Sequence, residues 1–169
     1  MILVETDVSE EWDSSTGWAA LAEAAVKAAV RESDSAGLLE SGLAIEVSVR
    51  FTGDEEVKAL NAAWRGKDKP TNVLSFPMFE AGMLASIAGI DGGEVLLGDI
   101  VLAHGVCTAE AERKGVTVRD HAAHLVVHGM LHLLGYDHER GEEEAEGMEA
   151  AERRALAALG IADPYEVAR

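Results

Sequence analysis

Cysteine is nearly missing from this chain. Cys107 is the only one among 169 residues, which excludes an intrachain disulfide and fits a reducing compartment. No secretory leader is expected either, because Met1-Ile-Leu-Val-Glu-Thr-Asp turns acidic at once and has neither a basic start nor a long apolar stretch. No apolar run approaches the roughly eighteen residues of a membrane span. A cytoplasmic protein is therefore expected, with no membrane partner. Basic charge is scarce as well: 14 basic residues face 31 acidic ones, for a net charge of −17. That excludes broad, non-specific adhesion to nucleic acid or anionic lipid and leaves room only for a local basic site. Arg65, Lys67 and Lys69 form the clearest such cluster.

What is present suits an ordinary globular chain. Apolar residues make up 48% and charged residues 27%, and a single domain over residues 1–169 is long enough to bury a core without staples. Leu43, Ile45, Val47, Val49 and Phe51 alternate with polar or small residues, which predicts a strand with one buried face. Residues 2–4, 71–76 and 94–102 supply further strands. Residues 78–93, rich in glycine, read as a long hairpin connection. Helical spacing predicts helices over 18–30, 54–64, 108–114, about 117–134 and about 142–159. Thr52 and Glu55 resemble a capping box for the second, which puts Val57, Leu60 and Trp64 on one face. In the last helix Met148, Ala151, Ala155, Leu156 and Leu159 face inward. The expected class is α+β (mixed α/β): one small sheet of about four strands packed with about five helices, the fourth central and buried.

That central helix carries an unusual stripe. His121, His124, His128 and His132 fall within about 80° of arc. A lone buried histidine usually just satisfies hydrogen bonds in a core. Four in a stripe, with His138 just past the helix end, point to metal binding. His128 and His132 lie one turn apart, close enough to share an ion. Gly135 permits a sharp turn that brings His138 back as a third ligand. His121 and His124 lie farther along and read as supporting residues, with His124 at the pocket wall. Three imidazoles suit one zinc ion per chain and leave an open, catalytic position, unless Asp137 or Glu139 fills it.

The stretch from His128 to His138 matches the spacing of the zinc-peptidase pattern H-E-x-x-H-x-x-G-x-x-H. Gly129, however, stands where that pattern has its glutamate general base. A zinc peptidase or amidohydrolase is the alternative that this spacing raises and Gly129 opposes. The glutamates crowding residues 139–152, Glu152 among them, read as first-turn partners of the helix dipole and a solvated face.

Three stretches resemble the YbeY family of endoribonucleases, the ribosomal RNA maturation factors. They are His128 to His138, Arg65-Gly-Lys-Asp-Lys-Pro-Thr-Asn-Val-Leu-Ser-Phe-Pro77, and Leu97-Gly-Asp-Ile-Val101 with the ending Leu159 to Tyr165. The resemblance covers roughly residues 40 to 166. The first forty residues add little, and 80–93 look peculiar to this chain. It implies a zinc-dependent endoribonuclease, specific for single-stranded RNA rather than DNA, acting in small-subunit (16S) ribosomal RNA maturation, including 3′ end processing, and in ribosome quality control. The family's zinc ligands fall on His128, His132 and His138, and its functional arginine on Arg65. Small-subunit ribosomal proteins and the assembly GTPase Era are the implied partners. A non-catalytic assembly factor, with zinc holding the fold and Arg65 docking on the ribosome, is the other reading. An arginine beside a metal suits phosphodiester cleavage, because both stabilise charge developing on phosphate oxygens. Lys67 and Lys69 could guide the RNA backbone, while Asn72, Ser75 and Phe76 line the groove or simply build the strand.

Overall fold

The alternating residues of the second strand divide as their period dictates. Ile45, Val47, Val49 and Phe51 are fully buried on one face, and Glu46, Ser48 and Arg50 take the other. The computed structural model describes residues 1–137 and 141–165. Its strands are β1 (Ile2–Val8), β2 (Ala44–Thr52), β3 (Val73–Pro77) and β4 (Glu94–Ala103), in one sheet of order β1-β2-β4-β3. β1 and β4 run parallel to β2, and β3 runs antiparallel to β4. The helices among the described residues are α1 (Trp18–Arg31), α2 (Asp54–Arg65), α3 (Leu84–Ala88), α4 (His104–Lys114), α5 (Val118–Leu133) and α6 (Glu142–Ala158). The α+β class with four strands holds. The helix beyond the expected five is α3, a short turn inside the β3–β4 connection that buries Leu84 and Ile87.

Helix α5 lies at the centre, packed on β3 and β4 and flanked by α1, α4 and α6. Val126, Val127, Met130, Leu131 and Leu133 are buried on it, each adding roughly 1.5–3 kcal/mol by leaving water. Two glycines let it approach the sheet. A Cβ at Gly129 would meet Ile100 Cγ2 at 2.9 Å, and one at Gly98 would meet both Leu133 Cδ2 and the Phe76 carbonyl at 2.6 Å. The helix opens on the expected cap, with Thr117 Oγ1 accepting from Asp120 N. It closes through Gly135 at φ 97°, where Tyr136 N donates to the Leu131 carbonyl at 3.0 Å, a Schellman turn.

Three local expectations change. The Thr52–Glu55 capping box does not form: Gly53 is the N-cap of α2, and Thr52 Oγ1 donates to Glu56 at 2.7 Å instead. Helix α4 starts at His104, four residues before the expected Thr108. Its first amides, Gly105 N and Val106 N, donate to Asp54 Oδ1 at 2.9 and 3.2 Å, so the cap comes from α2, about fifty residues upstream. Trp64 does not follow Val57 into the core; it is 73% exposed, resting at the sheet's edge against Phe76 of β3. No helix among the described residues is long and apolar enough to cross a membrane.

Candidate functional site

The turn that ends α5 fixes the first imidazole. His132 Nδ1 lies 2.9 Å from the Tyr136 carbonyl. A carbonyl can only accept, so Nδ1 carries the proton and Nε2 presents a lone pair. The Tyr136 ring anchors the same turn from the other side, its hydroxyl accepting from Asp34 N at 3.0 Å.

Glu152 of α6 fixes the second. His128 Nδ1 donates to Glu152 Oε1 at 2.6 Å, which in the neutral imidazole leaves the lone pair on Nε2. The two Nε2 atoms then face each other 3.1 Å apart. Two lone pairs so close repel unless a proton, as in an N–H···N hydrogen bond, or a metal ion lies between them. Nitrogens bound about 2.0–2.1 Å from a tetrahedral ion sit about 3.3 Å apart. The donor set therefore fits a zinc ion in its chemistry, its tautomers and its spacing. His138, the expected third ligand, and Glu139 lie outside the described residues. Among the described residues no group of three or more His, Cys, Asp or Glu side chains is placed to hold a metal.

Glu152 is the residue that the sequence reading missed. Its acidic neighbours place it on a solvated face by sequence, yet it is fully buried. Its Oε2 accepts from His124 Nε2 at 3.1 Å and from the Tyr165 hydroxyl. Burial alone would raise its pKa, but the hydrogen bonds from His124, His128 and Tyr165 outweigh it and hold the carboxyl down to about 2. A signal was available: Glu152 falls at i+4 from Met148 and beside Ala151, Ala155 and Leu156, on the inward stripe of α6. An acid on an apolar stripe needs partners, and the histidine stripe supplies them.

The other two histidines take supporting places. His124 donates to Glu152. His121 Nε2 lies 2.8 Å from Glu110 Oε1 of α4, and Asn72 Nδ2 donates to the same oxygen at 3.0 Å. Burial lowers the pKa of His121, and the pair ties α5 to the start of β3. Cys107 lies on the buried side of α4, its thiol pushed up by burial. It donates weakly to the Asn72 carbonyl, away from the His128–His132 pair.

A groove of about 960 Å³ runs past the imidazoles. Arg65 lines it together with His128, His132, Asn72, Ser75 and Asp137, so the structure brings Arg65 and two of the three expected ligands to one cleft. Arg65 is exposed at the end of α2 and makes no ion pair among the described residues. The basic loop after it is pinned from behind: Gly66 takes φ 69°, and buried Asn61 donates from Nδ2 to the Lys69 carbonyl at 2.8 Å. Lys67 and Lys69 are exposed and do not line the groove.

The statistical model of the family "Endoribonuclease YbeY" matches residues 7–160. A protein from Rhizorhabdus wittichii bearing that name is 53% identical over 167 residues, covering 99% of this chain and 98% of its own. One of the same name from Novosphingobium aromaticivorans is 52% identical over 165 residues, covering 98% and 96%. The likeness thus extends through the first forty residues, where no motif stands out. Among solved structures, the solution structure of TM1509 from Thermotoga maritima superposes with a TM-score of 0.53 at 23% identity, over 98% of this chain and 100% of that one, which shows a shared fold.

Proposed function

We propose that this chain, which belongs to the endoribonuclease YbeY family, cuts single-stranded RNA with the help of one zinc ion, in the maturation of small-subunit ribosomal RNA, its 3′ end included, and in ribosome quality control. Family membership makes it an enzyme that hydrolyses phosphodiester bonds within RNA. The observation that carries the rest is the pair of facing Nε2 atoms 3.1 Å apart in the groove that Arg65 lines.

His128, His132 and His138 would hold the ion, with the first two oriented by Glu152 and the Tyr136 carbonyl. A zinc ion so held supplies Lewis-acid stabilisation of the charge that develops on phosphate oxygens. Arg65 supplies the matching charge from the chain. Its planar fork can donate to two non-bridging oxygens at once, and its exposed position leaves it free to meet a phosphate in the groove. Asn72 and Ser75, on the same wall, can orient the strand. Small-subunit ribosomal proteins and the assembly GTPase Era belong to this proposal as partners, with cytoplasmic residence.

A peptidase with this histidine spacing needs a glutamate where Gly129 stands, and there even a Cβ would press on Ile100 at 2.9 Å. The test is incubation of the purified protein with labelled single-stranded and duplex RNA. Cutting of the single strand alone, stopped by a chelator and restored by zinc, is expected. Cutting of a peptide library with RNA left intact would overturn the reading.

A further inference from the structure

Trp64 is the most exposed large apolar side chain among the described residues, at 73%. An indole normally buries its large surface and dominates whatever core it joins. Here Val57, on the same helix, is buried in the small cluster under α2, and Leu60 packs against that cluster, while the indole stays outside. It is held all the same. The Phe76 ring meets it edge-on, with centroids 6.3 Å apart and planes at 62°. Phe76 sits between Ser75 and Pro77, both of which line the groove, and the residue after Trp64 is Arg65, which lines it too. Strand alternation turns Phe76 to the face opposite Ser75 and Pro77, toward the cluster under α2, so the braced aromatic face stands across the edge strand β3 from the groove, with Arg65 reaching from one to the other. Trp64 also opens the densest basic run, Arg65, Lys67 and Lys69, of a chain whose net charge is −17.

We infer that Trp64 is a stacking platform for an unpaired base of the RNA strand, placed so that the adjoining phosphates meet Arg65 and the lysines. This rests on the reading of the groove as an RNA-cleaving site. The chemistry favours that occupant. Interleaved aromatic and basic side chains are what a single strand needs, since every base has a π-face and every linkage a charge. A paired base has both faces covered by its neighbours in the stack, so a platform of this kind discriminates for single strands without reading sequence. The acidic remainder of the surface repels RNA and confines it to this edge.

The other tryptophans make the test direct. Trp12 and Trp18 are 2% and 5% exposed, so quenching of the intrinsic fluorescence of the wild-type protein by a single-stranded oligonucleotide reads Trp64. Quenching is expected with single-stranded RNA and not with duplex. In cleavage assays Trp64→Ala should raise KM about tenfold with kcat nearly unchanged, as loss of one stack would do. Trp64→Phe should stay within about threefold of wild type, and both variants should melt like it. On RNA carrying abasic sites around the cut, wild type and Trp64→Ala should converge. If the wild type cuts RNA but shows no quenching, or Trp64→Ala leaves KM unchanged or lowers only kcat, the platform is overturned. If the wild type does not cut RNA at all, the functional reading beneath it fails instead.

Discussion

His128 Nδ1 and Glu152 Oε1 lie 2.6 Å apart, joining α5 to α6 across 24 residues of sequence. The carboxylate does two things at once: it fixes the tautomer of His128, and it satisfies His124 and Tyr165 in a buried place. Glu152→Ala removes both. Unpaired buried donors cost about 1–3 kcal/mol each, so the metal-free variant should melt well below the wild type. Zinc affinity should fall about 10- to 100-fold, as when an outer partner of a ligating histidine is lost. Thermal unfolding and a zinc titration check this, and unchanged affinity in a folded variant would remove Glu152 from the site.

Arg65 separates function from stability in the opposite sense. It is exposed and unpaired among the described residues, so Arg65→Ala should change stability by no more than about 0.5 kcal/mol. RNA cleavage should drop on the order of a hundredfold, the usual effect of removing one donor to a developing anion. Arg65→Lys should recover only part of it, because an ammonium lacks the fork. Equal rates for all three proteins would exclude Arg65 from the reaction.

Gly129 is a packing position before it is a chemical one. Gly129→Ala pushes a Cβ to 2.9 Å from Ile100 Cγ2, and overpacking of this kind costs about 1–3 kcal/mol. Gly129→Glu, which completes the peptidase pattern, should destabilise the chain further and confer no peptide cleavage. Melting curves and a peptide-library digest read both effects.

Stability should fall on acidification through the His121–Glu110 pair. Burial holds His121 below its ordinary value of 6.5, with Lys114 and His124 pushing the same way and Glu110 opposing. Burial would raise Glu110, but hydrogen bonds from His121 and Asn72 hold it below its ordinary 4.5. In both cases the unfolded chain takes up its proton at higher pH than the folded one. The pair's contribution is therefore complete at neutral pH and is lost as pH falls, first through the histidine range and then through the carboxylate range. His121→Gln keeps a donor to Glu110 and removes the first step, so its melting temperature should depend less on pH just below 6.5 than that of the wild type.

What could be read from the sequence was local. His128 and His132 follow from a four-residue spacing on one helix, and Gly135 from the turn that must end it. The β2 alternation located a strand to within a residue at each end. Arg65 stood out as basic charge in an acidic chain, and the family likeness gave it a role. What escaped depends on distant partners. Asp54 caps α4 from another helix. Tyr165 reaches Glu152 from beyond the end of α6. Glu152 itself was hidden by its acidic neighbours, although its place on an apolar stripe marked it. Trp64 has the spacing of a core residue, but at the end of α2 it meets the edge strand, through Phe76, and stays exposed.

Metal content tied to RNA cleavage tests the central claim most directly. The purified wild-type chain and His132→Ala are assayed for bound zinc and for cutting of a single-stranded RNA, before and after chelation. About one zinc per wild-type chain is expected, with cutting that chelation stops and zinc restores, and with neither metal nor cutting in His132→Ala. Equal cutting by both proteins, or cutting by a wild type that holds no metal, would contradict it.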